Sequence, residues 1–311
     1  MEEKLKYEIC KSSSKWDDFI LKSENKNIYS ISTFLNDTKF KSEKVFIKKN
    51  DEVLSSFNIY IKNKKICEGD RIYSPINFKF FEKKNSSSIY YKKHNIIKLF
   101  ISYITKKFTE GLFTFDCSTQ DLRPFFWHNF DTKKEIFSIK EVRYTSILDI
   151  NYNFKKLDLN ELINSKMFEK FSRSIKQQIK SHKNNDLEIK ESVNLNQKVD
   201  FDLVQYKKIY KKLIDEKKLK MYVVERNQKV ISFCIFGIIK DYAVYLNGGR
   251  DGNLNEDYSL TYCLAMSAVK LSILGVKKID LEGLNSPKRA FWKQGFGGTL
   301  TPYYKLSMKN S

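Results

Sequence analysis

The sequence predicts a mixed α/β protein built from two similar halves. Segments with the two-residue alternation of strands and segments with the 3.6-residue spacing of helices both occur along the chain. Each half runs in the order strands, helix, strand, as expected of an internal duplication. The length of 311 residues also exceeds what one hydrophobic core usually supports, so about two domains are expected.

The elements of the first half follow from apolar spacing and turn residues. They are a helix near Trp16–Ser23, strands near Val45–Lys48 and Val53–Ile61, a helix over Ile89–Phe108 and a strand over Leu112–Cys117. Asn50 and Asp51 supply the turn between the first two strands, because both residue types favour tight hairpins. Gly111 ends the long helix.

The second half repeats this order. Its predicted elements are helices Phe168–Lys180 and Leu203–Leu213, strands Met221–Glu225, Lys229–Ile239 and Tyr242–Asn247, helix Tyr258–Leu274 and strand Lys277–Leu281. Asn227-Gln228 and Lys240-Asp241 form the hairpin turns. No low-complexity linker separates the halves. The boundary is therefore placed where polar residues follow a strand, which gives an N-terminal domain at 1–152 and a C-terminal domain at 153–311.

Composition favours a packed globular protein. Hydrophobic residues make up 41% of the chain and only 4 residues are proline, unlike a disordered chain. The chain lacks the basic start and apolar run of a secretory leader, and no apolar window is long enough to cross a bilayer, so we expect a cytoplasmic protein. The cysteines and histidines have no metal-ligand spacing, so no metal site is expected.

The formal net charge of +20 indicates the sign of a partner rather than its identity. The lysines are spread singly and in pairs, and such runs are usually solvated surface. A surplus of this size nevertheless attracts polyanions such as tRNA, a nucleotide sugar, CoA or an anionic lipid.

The segment between residues 276 and 306 is the richest in polar groups. An apolar run ends in Asp280 and Glu282, breaks at Gly283 and is followed by a short helix with Pro287 near its start. Two acids, an amide and three cations occur between Asp280 and Lys293. A polar loop at the end of a buried strand is a usual place for catalytic groups.

The block DLEGLNSPKRAFWKQGFGG within this segment resembles the C-terminal signature of the FemAB-like branch of the GNAT acyltransferase superfamily. Other stretches resemble the family in the same order: WDDFILKSENKNIYSISTFL at 16–35, DLRPFFWHNF at 121–130, RYTSILDI at 143–150 and FEKFSRSIKQQIKSHKNNDLEI at 168–189. The resemblance covers most of the chain. It implies two tandem GNAT-like domains, each with a mixed central sheet flanked by helices.

The resemblance also implies amide-forming acyl transfer. An aminoacyl or small acyl group would pass from aminoacyl-tRNA or acyl-CoA to an amine of a cell-envelope or surface-glycan precursor, without a tightly bound cofactor. The expected partners are an anionic small molecule or glycan precursor, tRNA, and the inner face of the membrane. Two alternatives stay open: a CoA-dependent N-acetyltransferase acting on an amino sugar or small molecule, and a non-catalytic basic protein that binds RNA or a membrane surface.

Lys293 is the first catalytic candidate. A cation on the helix after the carboxylate loop can stabilise the oxyanion of acyl transfer or a phosphate of the donor. The resemblance points to the same residue, because family members place an aromatic-Lys pair before the glycines and that pair is here Trp292-Lys293. The alternative is a solvated surface lysine.

Asp280 and Glu282 are the candidate proton acceptors. They alternate with apolar residues, which places both on one face of the strand end, where two close carboxylates raise one pKa. The alternative is that either acid caps the next helix or pairs with Arg289. Tyr304 is a candidate acid for the leaving group, with core packing as its alternative.

The remaining candidates are donor and substrate contacts. By the resemblance, the donor contacts are Arg250, Gly252 and Ser259. The glycine spacing of a CoA pyrophosphate turn is missing there and acids follow, which favours aminoacyl-tRNA. The substrate contacts are Arg71, Tyr73, Asp121, Arg123, Arg173, Lys176, Asn285, Arg289 and Trp292. A solvated helix face at Arg173 and Lys176, and a structural contact between Asp121 and Arg123, are the alternatives.

Overall fold

Two compact units make up the chain. The computed structural model describes residues 5–37, 39–69, 73–74, 76–81, 86–132, 134–182, 187–194, 204–251 and 258–310. The first unit is Met1–Arg143 with Pro302–Ser311, and the second is Tyr144–Thr301. Each unit combines a sheet with helices around its own hydrophobic core. The predicted mixed α/β class is confirmed.

The first unit packs a five-stranded antiparallel sheet against helices and also contains strands of a second sheet. Its strands are β1 (Leu5–Ile9), β2 (Lys41–Lys49), β3 (Glu52–Lys62), β4 (Lys65–Cys67), β5 (Ile76–Phe78), β6 (Glu110–Thr114) and the first part of β7 (Phe137–Asp149). Its helices are α1 (Ser13–Lys22), α2 (Ser32–Leu35), α3 (Ser86–Lys107) and α4 (Arg123–Phe126), with short 3-10 helices at Ile28–Ser30 and Phe130–Thr132. β1 to β4 pair in order, and β5 also pairs with β3.

The predicted hairpin and long helix of this unit are confirmed. The β2–β3 turn contains Asn50 with a φ of 55°, a conformation that asparagine tolerates better than most residues. α3 covers the predicted helix almost entirely. It buries one apolar face in the core of the unit, formed by Ile96, Ile97, Phe100, Ile101, Tyr103 and Ile104.

The strand expected over Leu112–Cys117 ends earlier, at Thr114. The Ser118 amide donates to Asp116 Oδ1 at 3.2 Å, and the Thr119 amide donates to the Asp116 carbonyl at 3.0 Å. These local bonds turn the chain, because an aspartate side chain that accepts from a nearby amide competes with strand pairing.

The second unit is built around a mixed sheet. Its helices are α5 (Leu159–Ile163), α6 (Lys166–Glu169), α7 (Arg173–Lys180), α8 (Val204–Asp215), α9 (Ser259–Ile273) and α10 (Pro287–Gln294). Its strands are β8 (Glu188–Ser192), β9 (Leu219–Arg226), β10 (Lys229–Ile239), β11 (Tyr242–Arg250), β12 (Lys278–Asp280) and the first part of β13 (Thr299–Lys309), together with the end of β7. From β7 the order is β12, β11, β10, β9, β8, and only the β11–β12 pair among these neighbours is parallel.

One predicted helix is divided in two. The helix expected over Phe168–Lys180 forms as α6 and α7, because Ser172 is extended and begins a new helix. Ser172 Oγ accepts from the Ile175 amide at 3.3 Å, and the Ser172 amide donates to the Gly295 carbonyl at 2.8 Å. The second bond joins residues far apart in sequence, so helical spacing alone could not predict the break.

The hairpin turns of the second sheet are confirmed. Asn227 and Gln228 have φ values of 51° and 61°, and Lys240 has a φ of 53°. Two successive positive φ values are typical of the turn that matches the twist of paired strands. Between β11 and β12, α9 is buried on nearly every side, as expected of a helix that is apolar or small all round.

β13 carries the chain from the second unit back to the first. Lys305–Lys309 pairs antiparallel with Glu110–Thr114, and Leu306 and Met308 lie in the core of the first unit. The two units differ from the predicted domains 1–152 and 153–311, because Pro302–Ser311 belongs to the first unit and the second unit begins at Tyr144. None of the helices in the described ranges is long and apolar enough to span a membrane.

Gly297 and Gly275 provide a test of the packing below α10. Both have positive φ, 74° for Gly297 and 88° for Gly275. A Cβ added at Gly297 would lie 2.3 Å from the Lys170 carbonyl oxygen, whereas a Cβ added at Gly275 would have no atom within 4 Å. Gly275→Ala should lower the free energy of unfolding by about 1 kcal/mol through backbone strain alone. Gly297→Ala should lower it by at least about 2 kcal/mol, because the backbone of Lys170 must also move. Urea denaturation measures both, and equal losses would contradict the described contact.

Candidate active site

Two neighbouring parallel strands separate at the centre of the second unit. β11 and β12 pair only from Tyr242 with Lys278 to Val244 with Asp280. Beyond Asp280 the chain follows β7 instead, because the Leu281 amide donates to the Ser146 carbonyl and the Leu284 amide to the Tyr144 carbonyl, both at 2.9 Å. We call the space between Tyr245 of β11 and the segment Leu281–Asn285 the fork.

The ammonium of Lys293 lies in the fork. Nζ donates to the Leu281 carbonyl at 2.5 Å and to the Glu282 carbonyl at 2.8 Å, and it stands 5.2 Å from the centre of the Tyr245 ring. These carbonyls follow the last residue of β12 that pairs with β11. Buried carbonyls need hydrogen-bond donors, and Lys293 supplies them here. Lys293 is therefore a buried lysine that supports the fork, and the alternative of a solvated surface lysine is wrong.

Burial lowers the pKa of Lys293, because a charged ammonium is less stable away from water. The charges of Glu282 and Asp280 act in the opposite direction, and that of Arg289 adds to the lowering. The acids predicted to accompany Lys293 are thus close enough to affect its charge.

Asp280 is fully buried at the end of β12. Thr145 Oγ1 and the Glu282 amide donate to its Oδ1, the amide at 2.8 Å. Tyr242 Oη donates to Oδ2 at 3.3 Å. Burial raises the pKa of Asp280, and these hydrogen bonds offset part of the rise. Through these contacts Asp280 fixes the backbone where the chain leaves β11.

Glu282 begins the turn that opens the fork. Its φ is 52° and that of Gly283 is 37°, so the chain is no longer extended. The expectation that Asp280 and Glu282 alternate on one strand face is wrong for this reason: β12 ends at Asp280. Glu282 is buried, and its charge raises the pKa of Lys293.

α10 positions Lys293 through the neighbouring tryptophan. Pro287 occupies the first turn of α10, as its fixed φ permits. Trp292 Nε1 donates to Thr261 Oγ1 at 3.0 Å, and Thr261 donates to Gln178 at 2.7 Å. Trp292 thereby ties α10 to α9 and α7, so its described contacts are those of an anchor.

The other predicted residues of the C-terminal block lie at the solvent side of the fork. Asn285 Oδ1 accepts from the Tyr144 amide at 3.0 Å, which holds the segment against β7. Arg289 is exposed on α10. Both stay predicted substrate contacts.

Of the two substrate contacts predicted on the basic helix, one is bonded within the protein and the other is exposed. Lys176 Nζ donates to the Glu169 carbonyl at 2.8 Å, while Arg173 is exposed. Of the predicted donor contacts, Arg250 is the exposed last residue of β11 and Ser259 is the buried first residue of α9. Gly252 lies outside the described residues.

In the first unit, the predicted substrate contacts are mostly engaged with their own neighbours. Tyr73 is buried, edge to face with Tyr29 and Tyr303. Arg123 pairs with both oxygens of Asp121, at 2.8 and 2.9 Å, as in the structural alternative. Arg71 lies outside the described residues.

Tyr304 is half-buried against the core of the first unit, and its carbonyl accepts from the Phe115 amide. The role of Tyr304 as the acid that protonates the leaving group stays a prediction.

Thr145, Tyr242 and Tyr245 are the residues of the fork that sequence reasoning missed. Thr145 lies within RYTSILDI, a stretch that resembles the family, and its hydroxyl is the one sequence signal for this contact. Tyr242 and Tyr245 are separated from Asp280 and Lys293 in the sequence by the whole of α9. No local sequence pattern therefore indicates that these tyrosines contact them.

Comparison with known proteins finds likeness in structure alone. No protein-family model and no curated protein matches the chain. The crystal structure of FemX superposes with a TM-score of 0.67 at 11% identity, covering 98% of each chain. The C-terminal domain of a protein described as a lysylphosphatidylglycerol synthetase, from Agrobacterium fabrum, has a TM-score of 0.55 at 9% identity, covering 96% of this chain and 93% of that one.

A tandem GNAT protein from the clavulanic acid biosynthesis pathway has a TM-score of 0.52 at 8% identity, covering 99% of both chains. The chain has a FemX-like tandem GNAT fold. The predicted fold is confirmed over nearly the whole length. At these identities the likeness concerns the fold, so the chemistry of the fork must be argued from its own residues.

Asp280 gives a pH-dependent test of this geometry. Because its pKa is raised on folding, the protonated carboxyl contributes stability at low pH that is lost as pH rises through the raised pKa. Asp280→Asn imitates the protonated acid, so the stability of the natural protein relative to this variant should fall with rising pH in denaturation experiments. Asp280→Ala should lose roughly 2 kcal/mol, because the Glu282 amide and Thr145 hydroxyl lose their acceptor. A difference between natural protein and Asp280→Asn that is constant with pH would contradict this account.

Proposed function

We propose that the chain is an N-acyltransferase that moves an aminoacyl or small acyl group onto an amine of a cell-envelope or surface-glycan precursor. The observation that carries the proposal is the buried Lys293 ammonium at the point where β11 and β12 separate. The FemX-like fold over the whole chain supports it, as does the fold likeness to a protein described as a lysylphosphatidylglycerol synthetase.

The fork has an open donor for a developing oxyanion. An ammonium carries three N–H bonds, and its contacts within the described residues use two of them on the Leu281 and Glu282 carbonyls. The third can donate to an acyl oxygen that lies beside Tyr245. A fixed charge in a water-poor site stabilises an oxyanion more strongly than a solvated one.

The edge of β11 supplies the second part of the site. Its pairing with β12 stops at Val244, while the strand continues to Arg250. An extended acyl donor can pair with such an edge through its amide groups, as added strands do. This pairing would hold the reactive carbonyl between Tyr245 and Lys293, which lowers the entropic part of the barrier.

The reaction then follows from these positions. The neutral amine nitrogen attacks the acyl carbon, a C–N bond forms, and the C–O bond of an aminoacyl ester breaks. One amine proton must reach the departing oxygen. Glu282, buried beside Lys293, is the proposed carrier of that proton, whereas Asp280 holds the turn in place. Lys293 stabilises the charge on the acyl oxygen between the two steps.

Aminoacyl-tRNA is the proposed donor. The residues after β11 lack the glycine spacing of a pyrophosphate turn, and Asp251 there pairs with Lys229 at 2.8 Å. The second candidate is an acyl-CoA donor, and the observation in its favour is the fold likeness to a tandem GNAT protein whose description mentions AcCoA.

A donor screen tests the proposal. The purified chain is incubated with a panel of amines, including amino sugars and peptidoglycan precursors, and with either mixed aminoacyl-tRNA or a set of acyl-CoA thioesters. Mass spectrometry should detect an amide product only with aminoacyl-tRNA. Product formed only from acyl-CoA would select the second candidate. No product from either donor, with any acceptor, would contradict acyl transfer.

Lys293 should affect catalysis beyond its structural contacts. Lys293→Met should lower kcat/KM by about 10²–10³-fold, the range for loss of one oxyanion donor, and Lys293→Arg should retain part of the activity. Lys288→Met is the matched control, because Lys288 is an exposed lysine on the same helix. Tm is measured for every variant. A folded Lys293→Met protein with the natural rate would show that the lysine is only structural.

A further inference from the structure

The first unit carries exposed aromatic side chains at one corner. Phe126, Trp127 and Phe130 expose 40%, 48% and 71% of their surface, although large aromatic groups are usually buried. We call these three side chains the aromatic corner. Phe126 and Phe130 line one cavity, whereas the Trp127 ring lies 5.5 Å from the His94 ring and 5.5 Å from the Arg123 guanidinium. A group of exposed apolar side chains indicates an interaction site more strongly than a single one.

The backbone of the aromatic corner is well organised. The Trp127 amide donates to the Arg123 carbonyl at 2.8 Å and the Phe130 amide to the Trp127 carbonyl at 3.3 Å. Asn129 has a φ of 62°, and its carbonyl accepts from the Thr132 amide and hydroxyl, at 3.1 and 2.9 Å. These bonds fix the turn that presents Phe130, so its exposure is a property of the fold.

A cavity of about 390 Å³ opens under the aromatic corner. Its apolar lining consists of Phe125, Phe126, Phe130, Ile136 and Phe137. His128 also lines the cavity, and burial together with the charge of Lys98 lowers its pKa, so the imidazole is neutral near pH 7. The cavity therefore offers a ligand an apolar wall, together with the polar side chains of Asn129, Lys134 and Glu135.

Cations border the same corner. Lys134 lines the cavity, and Lys98 lies close enough to lower the pKa of both His94 and His128. Glu135 also lines the cavity, and Asp131 is the exposed neighbour of Phe130 in the sequence, so the local charges are mixed. The attraction to anions at longer range comes from the net charge of +20 of the whole chain.

We propose that the aromatic corner docks on a bilayer that contains anionic phospholipid. Phe126, Trp127 and Phe130 enter the boundary between headgroups and acyl chains, where aromatic side chains are favoured. The cavity faces the acyl chains, and Lys98 and Lys134 lie at the level of the phosphates. An exposed corner of three side chains fits a bilayer better than a protein partner, because a stable protein interface needs a much larger surface.

Vesicle binding by the full chain tests this proposal independently of acyl transfer. Co-sedimentation is measured with vesicles of phosphatidylcholine alone and with vesicles that also contain phosphatidylglycerol, at increasing salt. The chain should bind the anionic vesicles, and binding should weaken as salt rises. Phe130→Ser should bind about tenfold more weakly, which corresponds to about 1.4 kcal/mol. Phe80→Ser is the matched control, because Phe80 is a phenylalanine of the same unit with 58% exposure, and it should bind as the natural chain does.

Trp127 provides a second readout. The chain has three tryptophans, and Trp16 is buried while Trp292 is held by its bond to Thr261. Anionic vesicles should shift the emission of Trp127 to shorter wavelength, and Trp127→Phe should lose that shift but keep most of the binding. Absence of vesicle binding, equal binding to both vesicle types, an equal loss in Phe80→Ser, or binding without the Trp127 shift would each overturn the proposal.

Discussion

Two buried backbone carbonyls that accept from one lysine side chain determine how the centre of the second unit is built. Where β12 ends, the carbonyls of Leu281 and Glu282 leave the β11 ladder, and the ammonium of Lys293 donates to both. A buried carbonyl without a donor is strongly destabilising, and Lys293 of α10 supplies the donor at this point. Trp292, bonded to Thr261, sets the rotation of α10 that does so. The contact of Ser172 with the Gly295 carbonyl fixes the end of the same helix.

The same arrangement makes the fork electrostatically responsive. Burial opposes the positive charge of Lys293, and the charges of Glu282 and Asp280 partly restore it. Negative charge that develops on a ligand next to Nζ would favour the ammonium further. A group that stabilises a backbone turn in the resting protein can in this way stabilise an oxyanion during acyl transfer, because its position is already fixed.

Sequence reasoning succeeded where the determining contacts are local. The Asn227-Gln228 turn, the hydrophobic α9 and the Pro287 start of α10 depend on conformational preference or on spacing within one element. The grouping of Lys293 with Asp280 and Glu282 was also accessible, because few residues separate them. FemAB-like resemblance was enough to predict a tandem GNAT fold, which the likeness to FemX confirms.

Sequence reasoning failed where distant residues decide the outcome. The break before α7 depends on Gly295, and the return of β13 to the first unit depends on pairing with β6. The positive φ of Glu282 ends the strand alternation that the pattern of residues implied. The most direct test of the central claim is an NMR titration of the lysine side chains, with Lys293→Arg assigning the signal. Our account predicts that Lys293 titrates below an ordinary lysine and that its signal, more than that of other lysines, moves when an aminoacyl donor analogue binds. An ordinary pKa and a signal unaffected by the donor analogue would contradict the account.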